Sequence, residues 1–195
     1  VNDMYQFGSR FGFDLSSIND ELVISSPYYD INGDEEVGRI YYLKSAPSGA
    51  IKPLGWVLGN GRYSQSSVPG ATPEAFDLFG WSVSIVATAS NASKVLIGAP
   101  FEDIGSIGEA GMVHEMFINS QGVDFLNYHQ DTFDVEGTAE SNDLMGYSVA
   151  WGDFDNDGNV DAAIGVPGEM VNISEDAGAV NVIMGGSDGM LDPEN

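Results

Sequence analysis

The chain of 195 residues has no cysteine, only 6 basic side chains, 2 histidines and no long apolar run, and each shortage removes a class of function. Without cysteine there is no disulfide, thiolate nucleophile or zinc–thiolate site, although the absence assigns no compartment. With 6 Lys and Arg against 30 Asp and Glu, the formal net charge is -24. Nucleic acid is thereby effectively excluded as a partner, because phosphate contacts need cationic side chains to displace counterions. Anionic membrane surfaces are disfavoured for the same reason. No stretch approaches the roughly 18 apolar residues of a membrane span. Val1 opens the sequence without a charged leader or apolar core segment, so any signal peptide is expected to have been removed or to lie outside it.

What is present is globular: 43% of residues are hydrophobic and only 18% charged. The charge is uneven, since residues 1–94 hold all 6 basic and 10 acidic side chains, whereas residues 95–195 hold 20 acidic and none basic. The default reading of that excess is solubility. Further weak cation sites, a salty environment or a basic partner remain alternatives.

The most informative segment is Asp153-Phe-Asp155-Asn-Asp157-Gly158-Asn159-Val160-Asp161. Acidic side chains at alternating positions repel one another when empty. Around a glycine turn they supply the oxygen ligands of Ca2+, a hard ion that takes about six to eight. An EF-hand starts in the same way but needs a bidentate Glu at its twelfth position, where this chain has Ile164. The flanks, with Val149, Val160, Ile164 and Val166, lack a helical period and read as strands, so the loop is expected to join two strands.

Self-comparison turns the site into an architecture. Three copies begin at Phe11-Gly12-Phe13, Phe79-Gly80-Trp81 and Met145-Gly146-Tyr147, with the glycines 68 and 66 residues apart. Each leads to an apolar strand ending in Pro27, Pro100 or Pro167, then after 11 residues to Gly38, Gly111 or Gly178 and a third strand. The second strands, such as Val95-Leu96-Ile97, are continuously apolar, as strands covered on both faces should be.

With Phe79-Gly80 and Gly98-Ala99-Pro100 the chain resembles the FG-GAP repeat family, the blade unit of the propeller at the head of integrin alpha subunits and of many secreted proteins. The resemblance covers nearly the whole chain. It implies an all-β fold of four-stranded antiparallel propeller blades, with repeats at about 8–74, 75–141 and 142–195. It also implies that Asp153, Asp155, Asp157 and Asp161 bind Ca2+ through side chains and Asn159 through its backbone carbonyl. The implied function is a calcium-stabilised, non-enzymatic adhesion or ligand-binding module, extracellular, secreted or at the cell surface. An accessory propeller of a secreted hydrolase, such as a phospholipase, or a structural segment of a surface filament are the alternatives. Expected partners are a protein or glycan ligand on the face opposite the calcium hairpin, and either further blades of the same protein or a second copy. Propellers close with about four to eight blades, so three copies are expected to belong to a larger ring, with Val1–Phe7 as the last strand of a preceding blade.

The other copies lack the acidic loop. The first has a shortened hairpin at 16–21, and the second places Thr88, Ser90 and Lys94 where the third has Asp155, Asp157 and Asp161. Lys94 is read either as replacing the cation, its ammonium supporting hydroxyls and carbonyls of that hairpin, or as a solvated surface lysine. Asp30–Glu36 is a candidate second ion site, weighed against a plain loop of the same length as its counterparts. Asn91 and Asn172 open formal glycosylation sequons. Catalytic constellations are weak. Gly146-Tyr147-Ser148-Val149-Ala150 only superficially resembles a nucleophile elbow, since its counterpart Gly80-Trp81-Ser82-Val83-Ser84 explains the serine as part of the repeat. His114 and His129 read as structural or surface residues, Glu102-Asp103 and Glu175-Asp176 as solvated loop acids, and Trp81 as packing between blades. Residues 60–77 read as a loop following a fourth strand.

Overall fold

The computed structural model describes residues 6–44, 61–88, 92–133, 135–171, 177–186 and 191–192. The fold is all-β, and the described residues contain no α-helix. Strands β1 (Leu15–Ile18), β2 (Glu21–Ser26), β3 (Arg39–Lys44) and β4 (Arg62–Tyr63) form the first sheet in sequential order. The second contains β5 (Ser82–Ala87), β6 (Ser93–Ala99), β7 (Met112–Asn119) and β8 (Gly122–Tyr128). The third contains β9 (Ser148–Gly152), β10 (Asp161–Val166) and β11 (Ala179–Ile183). Every pairing within a sheet is antiparallel. These are the sheets expected of propeller blades.

One strand lies elsewhere than the sequence suggested. The fourth strand of the first blade is the two-residue β4, inside the stretch read as loop, and a 3-10 turn at Gln65–Ser67 follows it. Two residues carry too little alternation to register as a strand. Only their pairing with Ile40 and Tyr41 defines them. Trp56 and most of the expected preceding strand lie outside the described residues, and Gln6 and Phe7 are not in a strand.

The apolar core lies between blades rather than within them. Val23, Ile40 and Tyr42 of the first blade pack with Phe79, Val83, Ile85, Val95, Ile97 and Met116 of the second. Leu96, Val113 and Tyr128 of the second pack with Met145, Ala162, Ile164 and Val166 of the third. Strand β6 therefore sends Val95 and Ile97 one way and Leu96 the other, which is why all seven of its residues are buried. Each fully buried Val, Ile or Leu contributes about 1.5–3 kcal/mol, so these two seams outweigh any exposed ion pair, worth about 0–1 kcal/mol.

Backbone contacts stitch the seams. The segment before Phe79 runs parallel to the end of the first blade's long loop, with Phe76, Leu78 and Phe79 N–H groups donating to Glu35, Glu36 and Val37 carbonyls at 3.0, 3.1 and 3.0 Å. Asn142, Leu144 and Met145 repeat this on Gly108, Glu109 and Ala110 at 3.1, 3.2 and 3.0 Å. Gly38 and Gly111 end these loops in isolated parallel bridges to Phe79 and Met145. Glycine is required at Gly111: its φ is +85°, and a Cβ there would lie 2.3 Å from the Met145 carbonyl oxygen. The first strands also meet, since Val83 and Ile85 N–H groups donate to Asp14 Oδ2 and Ser16 Oγ at 2.8 and 3.0 Å. Ser82, which the elbow-like motif made a question, donates to the Gly146 carbonyl at 2.8 Å and is a staple between blades.

Candidate functional site

The acidic hairpin is the turn between β9 and β10. Its carboxylates are organised by the loop's own N–H groups: Asp157 N–H donates to Asp153 Oδ1 and Asp155 Oδ1, both at 3.0 Å, and Gly158 N–H donates to Asp153 Oδ2 at 3.2 Å. Asp161, fully buried, receives Phe154 N–H at 2.6 Å and Gly185 N–H at 2.8 Å. Ligand oxygens of Asp153, Asp155 and Asp161 lie within 4.8 Å of one another. Asp157 is turned away into hydrogen bonds from Asn159 N–H at 2.7 Å and Asn159 Nδ2 at 2.6 Å. The structure thus brings together the carboxylates of three of the five expected ligand residues and engages that of Asp157 with Asn159, whose backbone carbonyl takes no part in those bonds. The donor set is all oxygen, and three converging carboxylates suit a hard divalent cation.

Lys94 does not enter the equivalent hairpin of the second blade. Its ammonium is fully buried and pairs with Glu115 on β7 at 2.9 Å, 5.2 Å from the ring centroid of Trp151 in the third blade. Tyr128 donates its hydroxyl to the same carboxylate at 3.0 Å. Both readings of Lys94 from sequence are corrected: it is neither a hairpin support nor a surface lysine. That hairpin closes instead through Thr88, whose N–H and hydroxyl donate to Ala92 O at 2.9 and 3.1 Å, while Ser90 lies outside the described residues. Six residues before each proline stand Glu21, Lys94 and Asp161, all buried charges. Glu21 is met by Lys44 at 2.6 Å and by the Ser93 hydroxyl. One slot of the blade therefore holds a buried charge in each copy, countered by Lys44 in the first and Glu115 in the second and met by backbone N–H groups in the third.

The Asp30 loop has a structural occupation. Asp30 Oδ1 accepts Glu36 N–H at 3.0 Å and Oδ2 accepts Gln6 Nε2 at 3.1 Å. Its counterpart Asp103 accepts Glu109 N–H at 2.9 Å. Among the described residues, only Asp153, Asp155 and Asp161 group in the manner of a metal site. The sequons at Asn91 and Asn172 and the pair Glu175-Asp176 lie outside the described residues.

The strand ends opposite the acidic hairpin carry a cluster of aromatic rings, with Trp81 packed between neighbouring blades as the sequence suggested. Phe13, Trp81 and Tyr147 follow the three leading glycines, and Trp81 lies 5.0 Å from Phe13 and 5.2 Å from Tyr147 between ring centroids. Tyr28 and Phe101, which follow Pro27 and Pro100, join at 6.4 and 5.5 Å from Trp81. Phe13 and Tyr147 are 39% and 42% exposed, so the cluster faces solvent. The signal was in the sequence: an aromatic follows the leading glycine in all three copies.

Glu102 also departs from expectation. It is buried rather than solvated, and so is Asp77. The two carboxyls act on each other's ionisation, and Gln65 Nε2 donates to Glu102. Burial first, then each other's charge and that of Glu74, push Glu102 up to about 8; burial likewise raises Asp77 to about 7. His114 is fully buried, bonded through Nδ1 to Asn127 Oδ1 at 2.8 Å, and burial lowers it to about 4, so it stays neutral. His129 is lowered by burial as well.

Comparison with known proteins agrees with this geometry. The FG-GAP repeat family model matches residues 145–183, the blade that carries the acidic hairpin. Mouse (Mus musculus) integrin alpha-E is 28% identical over 171 residues, covering 82% of this chain, and human (Homo sapiens) integrin alpha-E is 26% identical over 176 residues, covering 85%. The chain spans 14% of the length of either relative. With antiparallel sheets and a repeated glycine–aromatic start in all three copies, the third blade matches the FG-GAP repeat and the chain is similar over most of its length to integrin alpha-E.

Proposed function

We propose that the chain is a calcium-stabilised, non-enzymatic binding module of a secreted or cell-surface adhesion protein. The convergence of Asp153, Asp155 and Asp161 oxygens within 4.8 Å carries this reading. Asp153, Asp155 and Asp161 would hold Ca2+ through their carboxylates, with Asp157 released from Asn159 and the Asn159 carbonyl completing the set. The ion supplies positive charge and oxygen coordination, and no reaction is assigned to it. Its effect is mechanical: it ties the β9–β10 turn to Gly185 through Asp161. Ligand contact, with a protein or a glycan, falls to the opposite end, where Phe13 and Tyr147 present exposed ring surface on either side of Trp81. Other blades of a longer protein, or a second copy, would complete the propeller. His114 has no catalytic role in this reading, being buried and neutral.

The test is thermal melting in calcium and in EDTA. Binding to the folded state alone adds about 1.4 kcal/mol for each tenfold excess of ion over its Kd. Calcium should therefore raise the melting temperature of the native chain and leave Asp155→Asn nearly unaffected. An identical melt of the native chain with and without calcium refutes the assignment.

A further inference from the structure

A second chemistry recurs where one blade meets the next. Gln65 comes from the 3-10 turn that ends the first blade, Asp77 from the segment approaching the second, and Glu102 from the second blade's loop after Pro100. We propose that Asp77 and Glu102, with Gln65 donating to Glu102, form a proton-held latch between the first two blades, closed while the carboxyls are protonated and loosened when they ionise.

Three observations lead there. Asp77 and Glu102 lie close enough that each carboxyl acts on the other's ionisation, and two neighbouring carboxyls cannot both ionise without mutual repulsion. Asp77 and Glu102 are 2% and 6% exposed and Gln65 is fully buried, so water cannot screen a second negative charge. Among the described residues no neighbour offsets it either: the charged groups facing the pair are Glu74 and Asp103, both acidic, and the 3-10 turn brings the neutral Gln65.

The segment under the latch is strained. Phe76 and Leu78, either side of Asp77, have φ of +75° and +54°, and Glu36 opposite has +53°. Such conformations cost about 1–2 kcal/mol each for residues with a side chain. Asp77 Oδ2 holds the bend by accepting Glu74 N–H at 2.6 Å. The arrangement repeats at the next junction, where Asn142 and Leu144 flank Asp143 with φ of +70° and +60°, and Gln130 donates to Glu169. There Asp143 faces Glu140 and Glu169, and burial raises its carboxyl too. Glu169 is only half-buried, which makes that copy the weaker latch.

The sign follows from linkage. Both carboxyls of the first latch hold protons in the folded state that the unfolded chain has released above about pH 4–5. Stability from the latch is therefore full below about pH 4, falls as pH rises above that, and is lost once pH has risen through about 7 to 8. This is opposite to the ordinary carboxylate.

The experiment is the melting temperature of the full chain from about pH 5.5 to 9, at constant calcium, beside Glu102→Gln, whose amide copies a protonated carboxyl. The native chain should lose several degrees towards high pH and the variant should lose much less. Equal pH dependence in the two overturns the proposal. If the variant does not fold, side-chain carboxyl NMR of the native chain decides: two groups titrating above about pH 6 are expected, and titration of every carboxyl below about pH 5.5 overturns it.

Discussion

Gly111 shows how much of this architecture rests on single positions. It combines a left-handed backbone with a carbonyl oxygen from the next blade where a methyl group would go. Gly105, in the same loop, is also left-handed at φ +66° but has nothing within 4 Å of a built Cβ. The two separate conformation from contact. Gly105→Ala should cost about 1–2 kcal/mol, the backbone penalty alone, and Gly111→Ala about 2–4 kcal/mol, because the Met145 backbone must also move. Chemical denaturation of the two variants measures the difference, and equal losses would show that the seam gives way without cost. Such positions are legible from sequence as glycines at a fixed distance from Pro27, Pro100 and Pro167, but the reason for them is not, because the atom that excludes a side chain comes from 34 residues further on.

Strands β6 and β7 hold a fully buried ion pair, Lys94–Glu115, at 0% and 1% exposure. Removing one partner strands the other, so Lys94→Met should cost about 3–5 kcal/mol, and Lys94→Met with Glu115→Gln should recover a substantial part. Urea melts of the two variants give the comparison; a double variant no more stable than the single would assign the cost to packing against Trp151 instead. The strands themselves were readable in sequence, because continuous runs such as Val95-Leu96-Ile97 mean cover on both faces. The partners of charged residues were not. A lysine aligned with Asp161 suggests a stand-in for an ion, yet the residue that receives it lies on another strand, and sequence spacing does not encode which carboxylate faces it. Glu102 failed for the same reason, since Asp-Glu pairs are common in so acidic a chain and only burial distinguishes this one. The acidic cluster was legible because all its residues are local, and even there Asp157 lies in bonds with Asn159 that no spacing rule foresees.

The assembled blades carry 30 acidic against 6 basic side chains, and the half that contains the acidic hairpin has no cation of its own. Self-repulsion of this size destabilises a compact state. In EDTA, raising ionic strength from about 0.01 M to 1 M shortens the Debye length from about 30 Å to 3 Å and should raise the melting temperature; a fall would show that attractive pairs such as Lys44–Glu21 dominate. The parallel bridges from Gly38 to Phe79 and from Gly111 to Met145 have a further consequence. Each blade's opening residues are docked on its predecessor's loop, so the piece that can be transplanted intact is not a sheet. A chimera cut between β4 and β5 exchanges the strands yet leaves mismatched halves at the joint. One cut within the loops after Pro27 and Pro100, upstream of Glu35 and Gly108, carries each docking pair along as a matched set, and recombination of these repeats should tolerate those breakpoints best.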